Sequence, residues 1–551
     1  MSRVLTVVMM IVVLSFGIFL GTRLNTGHEQ APGSLKKMYE AYGLIRELYV
    51  DEVQGDSLVN SSIKGMVDYL DPHSVYLEPE KVVYSQAELE GNFDGIGIEF
   101  DIISDTLLVV SPLSGGPSAA VGVAAGDRIL AIDSVSAIGI THQDVLRKLR
   151  GTRGSLVYLR VFRPFNGKYL DFKITRGRIT TSSVDAAFVL PNGTGYIRLS
   201  RFAETTADEF RAALARLKKQ GMKKLLVDLR GNPGGILDQA VSVADEFLPK
   251  GKMIVYTKSV KNSIEDAQYL ATSNGGYETG EVILLVDRGS ASASEILAGA
   301  LQDNRRALVL GELTFGKGLV QRQYPFKDGS ALRLTVSRYY TPSGRQIQRH
   351  YKKGVDGRES YYNEAATSLT PQKLFADNDS LLYLKNGDIS VYRTGGFSAI
   401  LSVPAQKSGD SRSVAALRNA GGVVPDYWVT GKPYSDFYQE LYRTGSFDDL
   451  AQRVLDNPAS SVQQYRKSME RFLSEYSQDS RLESLVRKTC EAKKIRFDQS
   501  GFLFDRSNIA LAIKARIAHQ LFGAEAQIRV YVVQSDPLVK FSSQVPVTLV
   551  R

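Results

Sequence analysis

The 551-residue chain has one cysteine, one tryptophan and only five histidines. The single thiol, Cys490, excludes an internal disulfide and a cysteine-based metal site. His28, His73, His142, His350 and His519 are scattered, and none lies near a serine cluster in sequence. A histidine-assisted serine nucleophile therefore has no local signal, although a fold is free to bring distant residues together. There is no dense Lys/Arg run with interleaved aromatics, so nucleic acid has little support as a partner. The 68 basic against 59 acidic residues leave +9, a mild excess for this length.

What is present is ordinary for a globular protein, 43% hydrophobic and 23% charged. A chain this long exceeds a single core and should divide into roughly three or four domains. Val4–Leu20 carries no charge and lies between Arg3 and Arg23. Its length is at the lower limit, about 17 residues, of a membrane-spanning helix. No A-x-A cleavage site follows, so the expectation is an uncleaved anchor over residues 4–20, with a cleaved signal peptide as the alternative. Either places the bulk of the chain outside the cytoplasm, on the periplasmic side of a cell envelope.

The expected fold class is α/β and multi-domain. A signal anchor or signal peptide over 1–24 leads into an N-terminal helical region over 35–88, broken at Asp71-Pro72. Residues 89–177 alternate short β-rich runs with Gly/Asp turns. From 184 to 350, strands such as Thr194–Leu199, Lys224–Leu229 and Val282–Asp287 alternate with helices Thr206–Gln220, Leu237–Leu248 and Ala293–Gln302. That alternation argues a layered α/β core. Two longer strands, Gly318–Phe326 and Ala331–Tyr340, follow Lys317. A polar extension covers 351–429, and 430–551 is a helical C-terminal region with no readable motif and a last β-like run, Gln527–Val533.

The most informative stretch runs from Gly289 to Gln321. A serine cluster, Ser290, Ser292 and Ser294, opens an amphipathic helix, and Lys317 follows between Gly316 and Gly318. A serine hydroxyl attacks a carbonyl only when something takes its proton. Lysine does so when burial lowers its pKa from about 10.4 toward neutrality, a shift of about three units or 4 kcal/mol. Phe315, Leu319 and Val320 are apolar neighbours suited to that. Gln321 is a neutral partner that orients the amine without recharging it, on the same strand face as Lys317. Against this, Ser292-x-x-Glu295 is also a capping box, Ser290 and Ser294 are equally good hydroxyls locally, and a lone lysine is most often a surface residue. The capping and catalytic readings are compatible, because a helix N-terminus stabilises an oxyanion. Leu226–Arg230 followed by Gly231-Asn232-Pro233-Gly234-Gly235 reads as a strand ending in a glycine turn with exposed N–H groups. A phosphate loop would want Lys and Ser/Thr after the glycines, and Ile236-Leu237 stand there instead.

These residues closely resemble the carboxyl-terminal processing (tail-specific) peptidases, serine peptidases with a Ser–Lys dyad. The match comprises Ser290–Glu295, Gln302-Asp303, Arg306-Ala307, Gly311 and Thr314–Gln321, in order. The resemblance implies Ser292 as nucleophile, Lys317 as base and Gln321 as orienting amide. It implies oxyanion donors at Ala293 and at Gly234 or Gly235, a choice left open. It also implies a crotonase-like protease core and needs no metal or cofactor. It covers about Leu35 to Val429 and leaves the tail unexplained.

In residues 89–177, Asp94-Gly95-Ile96-Gly97-Ile98 and the later Gly126-Asp127-Arg128-Ile129-Leu130 resemble a PDZ domain. Gly95, Ile96, Gly97 and Ile98 would then hold a C-terminal carboxylate, with Val145, Leu146 and Leu149 lining a side-chain pocket. Leu70–Ser74, including His73, reads as structural. The expectation is an exported endopeptidase acting on proteins with apolar C-terminal tails, anchored to a membrane. The rivals are a catalytically silent PDZ adaptor and an acyl-CoA-handling α/β enzyme. An exported location disfavours the second, and the intact Ser292, Lys317 and Gln321 disfavour the first. The oligomeric state is not legible.

Overall fold

The computed structural model describes residues 33–544, apart from 104, 114, 165, 262–263, 273–274, 368–381, 387–388, 394–420, 431–432 and 478–480. The apolar run 4–20 lies outside these residues. Among the described residues no helix is long and apolar enough to cross a membrane.

The centre is an eight-stranded sheet. Thr194–Leu199, Lys224–Asp228, Glu281–Val286, Leu308–Gly311 and Tyr427–Thr430 run parallel. Val184–Val189 adds antiparallel at one edge, and the hairpin Leu382–Asn386/Ile389–Arg393 at the other. Successive side chains on a strand face opposite sides, and both sides are apolar here. Leu225, Val227, Val282 and Leu284 pack under the helices Thr206–Lys219, Leu237–Asp245 and Ala293–Asp303. Tyr196, Leu226, Ile283, Leu285 and Leu310 face the other way. A parallel sheet needs cover on both faces, and the second face gets it from the tail: Val532, Leu538, Val539 and Phe541 lie against it.

A second sheet joins Val75–Leu77, Leu319–Pro325, Ala331–Tyr340, Met253–Lys258 and Ala267–Leu270. It hangs over the carboxyl ends of the parallel strands and carries the segment that follows Lys317. The strand begins at Leu319 rather than Gly318, with a register shift between Val320 and Gln321. Residues 98–175 form the expected small β domain, a six-stranded sheet with the helix His142–Leu149 capped by Thr141.

The tail is helical, as its periodicity predicts, with one correction. The run Gln527–Val533, expected as a strand, lies inside the helix Ala524–Gln534. Val530 buries in the tail's own core and Val532 against the central sheet, so packing overrides propensity. The tail also touches the small domain through Arg128–Asp456 (2.7 Å) and His519–Glu99 (2.8 Å).

Beneath the glycine turn, the fully buried Asp228 accepts from Arg230 Nη2 and from the Tyr196 hydroxyl, both at 2.6 Å. Burial pushes the Asp228 pKa up, but Arg230 and its hydrogen bonds outweigh that and hold it low. The same Arg230 nitrogen reaches Asp536 Oδ2 of the tail at 2.6 Å. Asp536 also caps the helix Pro537–Ser542 by accepting from the N–H groups of Leu538 and Val539. Asp536→Ala removes a cap and one of the two carboxylates around a buried guanidinium. The expected cost is about 2–4 kcal/mol, read as a lowered first transition in thermal unfolding. Asp536→Asn, which retains a capping side chain, should recover about 1 kcal/mol.

Candidate active site

Ser292 sits at the tip of the loop between the strand Glu281–Val286 and the helix Ala293–Asp303, at the carboxyl end of the sheet. Its backbone is at φ 54°, ψ −112°, a region that costs a non-glycine residue on the order of 1–3 kcal/mol. A strained strand-to-helix turn of this kind pushes a side chain into the open. The flanking serines are different. Ser290 Oγ donates to Leu229 O at 2.8 Å and Ser294 Oγ to Asn232 O at 3.0 Å, and both residues are fully buried. Of the three hydroxyls, only Ser292 lines the adjoining cavity of about 670 Å³.

Lys317, Gln321, Gly234 and Gly235 line the same cavity. Lys317 is half-buried, and no ion pair or side-chain hydrogen bond holds its Nζ among the described residues. Burial, and after it the Arg333 cation, push its pKa below the ordinary lysine value; Glu295 and Asp71 pull the other way by less. Ser292 Oγ and Lys317 Nζ share the cavity without a hydrogen bond between them. In unliganded sites such contacts are commonly long and tighten with substrate. Gln321 Nε2 donates to the backbone carbonyl of His73 at 2.6 Å, which fixes the amide.

The glycine turn closes on the serine from the other side. A Cβ on Gly234 would stand 2.7 Å from Ser292 Cβ and 2.8 Å from the Ala293 nitrogen, so only glycine permits the approach. A Cβ on Gly235 would strike Phe202 O at 2.1 Å. The two glycines differ in their donors. The N–H of Gly234 is consumed by Asn232 Oδ1 at 2.9 Å, whereas that of Gly235 has no acceptor among the described residues. Ala293 is the first residue of its helix, so its N–H has no intrahelical acceptor. Gly235 and Ala293 are thus the pair with donors to spare.

Sequence reasoning passed over several groups that build this arrangement. Glu295, read as half of a capping box, is fully buried and accepts from four donors: Ser292 N (2.8 Å), Lys317 N (2.9 Å), Gly316 N and the Thr314 hydroxyl (both 2.6 Å). Burial raises its pKa against the pull of those hydrogen bonds. The buried Tyr339 hydroxyl bridges the carbonyls of Ser292 and Lys317. Asn232 O accepts from Ala291 N at 3.0 Å as well as from Ser294, tying turn to loop. His73, far away in sequence, comes beside Gln321 through its carbonyl. Its ring packs edge-on to Tyr361, and burial followed by the Lys317 charge lowers its pKa to about 4.

In the small domain the N–H groups of Ile96 and Gly97 have no acceptor among the described residues, and Ile98 opens an edge strand. Gly95 is buried in the short pairing with Gly177. Val145 and Leu149 are built into the domain's core together with Ile96. Of the three helix residues expected to line a pocket, only Leu146 keeps surface. Among the described residues no cluster of His, Cys, Asp or Glu has the makings of a metal site.

Residues 193–357 match the model of peptidase family S41, and 108–163 match a PDZ domain. Residues 21–81 match the N-terminal domain of the activating protease CtpB. The carboxy-terminal-processing protease of Bartonella bacilliformis is 37% identical over 336 residues, 60% of this chain and 76% of that protein. This chain belongs to peptidase family S41. It is a carboxy-terminal processing peptidase of serine type with a PDZ domain. The carboxy-terminal processing protease CtpB of Bacillus subtilis is 35% identical over 326 residues, 59% of this chain and 67% of the relative. Among solved structures, a photosystem II D1 C-terminal processing protease is 30% identical and covers 56% of this chain and 89% of its own, with a TM-score of 0.32. Residues 437–523 match a family of unknown function.

Glu295→Gln would turn an NH2 donor toward N–H or O–H donors that now meet a carboxylate. One or two buried donors are then left unsatisfied at about 1–3 kcal/mol each. The expected result is a stability loss of about 2–4 kcal/mol and a fall in peptidase activity of more than about tenfold, with Glu295→Asp intermediate. Unchanged thermal unfolding and activity in Glu295→Gln would exclude the tether.

Proposed function

We propose that this peptidase is an exported endopeptidase, anchored through residues 4–20, that captures apolar C-terminal tails and cuts with Ser292 and Lys317. The observation carrying the reading is the wall of the 670 Å³ cavity. There the one outward serine of the 290–294 cluster shares the wall with an amine of lowered pKa and no carboxylate partner, beside two unengaged N–H donors.

In this reading Lys317 Nζ, neutral, takes the Ser292 Oγ proton as Oγ bonds to the scissile carbonyl carbon. The carbonyl π electrons move to oxygen, and the N–H groups of Ala293 and Gly235 hold the oxyanion. Collapse breaks the C–N bond, and the departing amine takes the proton back from Lys317. Water then gives a proton to Lys317 and adds to the acyl-enzyme; collapse returns that proton to Ser292 and releases the new C-terminus. Gln321, held by the His73 carbonyl, keeps the amine in place without offering it a negative charge. No metal or cofactor enters these steps.

Capture falls to the PDZ domain. The free N–H groups of Ile96 and Gly97 suit a terminal carboxylate, and the edge strand from Ile98 suits an extended peptide. Leu146 and Ile98 are the apolar surface offered to a tail, while Val145 and Leu149 shape it from within the core.

Ser292→Ala and Lys317→Ala should each lower kcat on an unstructured protein with an apolar tail by at least about a thousandfold and still bind it. Cleavage at the wild-type rate by either variant rejects the dyad. The base works only when neutral, so kcat/KM should climb with pH along one limb and level off above the Lys317 pKa, below the ordinary 10.5. A rate that falls as pH rises from neutral into the alkaline range would contradict Lys317 as base. Amidating the substrate's C-terminus removes a charge-assisted hydrogen bond of about 1.5–3 kcal/mol. Capture should weaken by about tenfold or more in a binding titration; equal affinities would remove the carboxylate loop from the mechanism.

A further inference from the structure

The cavity wall carries a second cation that the cleavage steps do not use. Arg333, on the strand Ala331–Tyr340, lines the cavity with Ser292 and Lys317 and is half-buried. Gln323 is its cross-strand partner. Its Nη2 donates to Gln323 Oε1 at 2.8 Å and to Ser85 Oγ at 2.6 Å. Both acceptors are neutral. Among the described residues no carboxylate stands within ion-pair distance, and Nε and Nη1 have no acceptor. The acidic side chain acting on Arg333 from farther away is Glu88, which also lines the cavity, from the exposed side of the helix Pro79–Glu90. Arg201, on the same cavity, donates to the carbonyls of Thr181 and Ser182 and adds a further positive charge to the wall.

Two cations on one half-buried wall repel, and they respond differently. Lys317, pressed first by burial and then by that repulsion, favours its neutral form. A guanidinium is too basic to do so, so Arg333 stays charged with only neutral partners. A charge removed from water is stabilised by an opposite charge with matching hydrogen bonds. Its planar fork, braced on one side by Gln323 and Ser85, leaves three N–H groups for such an acceptor.

We propose that Arg333 is the centre of a subsite for a carboxylate of the substrate. The source is an acidic side chain near the scissile bond, or the terminal carboxylate where the cut falls close to the chain end. The position relative to the scissile bond rests on the reading of Ser292 as nucleophile. Gln321 and Gln323 are two residues apart on their strand, about 7 Å, so the carboxylate lies about two to four residues from the cut bond in an extended substrate.

The test reads binding, so that it does not depend on turnover. Ser292→Ala protein is titrated with unstructured fluorescent peptides carrying one Glu moved stepwise along the sequence, against the matched Gln series. Each is made with a free and an amidated C-terminus. At one or two positions the Glu peptide should bind about tenfold tighter, with the ratio shrinking as salt is raised. In the Ser292→Ala/Arg333→Gln protein the ratio should fall to about one. Arg333→Glu should invert it in favour of a Lys peptide, and Arg333→Lys should retain part of it. A Glu preference that survives amidation identifies the side chain as the source. A loss on amidation that Arg333→Gln removes, with no Glu effect, identifies the terminal carboxylate. An unchanged ratio and an unchanged amidation effect in folded Arg333→Gln protein overturn the proposal. Cleavage of the peptides by Ser292→Ala would sink the nucleophile reading while leaving the charge preference to be counted, so the two failures are separable.

Discussion

The Glu295 carboxylate holds the site together. It lies at zero exposure and receives four donors, two from the serine side and lysine side of the backbone and two from Gly316 and Thr314. Hydrogen bonds to a charged group contribute about 1.5–3 kcal/mol each, and burying a carboxylate costs several kcal/mol. Four such bonds offset part of that cost, and burial still holds the carboxyl pKa above its ordinary value. The arrangement joins the N-terminus of the helix Ala293–Asp303 to the loop ahead of Leu319, so the serine and lysine backbones are held to one carboxylate. It also resolves a conflict. A carboxylate near Lys317 would favour the ammonium, but Glu295 spends its oxygens on backbone N–H groups and a hydroxyl. Lys317 is left to the burial that lowers its pKa.

Much of this site was legible because it is local. Three serines opening a helix, a lysine between glycines and a glutamine four residues on are written within about thirty residues, where periodicity and turn chemistry reach. The helices and parallel strands of the core followed from the same signals. What the sequence withheld is long-range. Glu295 looked like a capping-box partner because three of its four donors come from residues 314 to 317, brought back by a strand crossing. The choice between Gly234 and Gly235 depended on where Asn232 points its side chain. His73 reaches Gln321 across the fold through a carbonyl, which no side-chain pattern reports. Arg333 meets the cavity through a cross-strand pairing with Gln323, which the periodicity of its own strand does not report.

The tail shows the same limit differently. Its helical periodicity was plain, but a hydrophobic stripe does not say what it covers. Gln527–Val533 read as a strand because valine and isoleucine dominate it; two buried interfaces, one on each side, make it a helix. The PDZ pocket residues Val145 and Leu149 were chosen by position on a helix, and the structure assigns that face to the core.

The cover on the second face of the central sheet has a temporal consequence. Residues 524–544 lie far downstream of the strands they shield, so a chain emerging in order exposes Leu226, Ile283 and Leu285 until its final helices arrive. Asp536, which steadies Arg230 below the glycine turn, arrives in that same late segment. In chain order, therefore, the sheet that carries the site gains the cover of its second face, and the glycine turn its distant carboxylate, from the same closing segment.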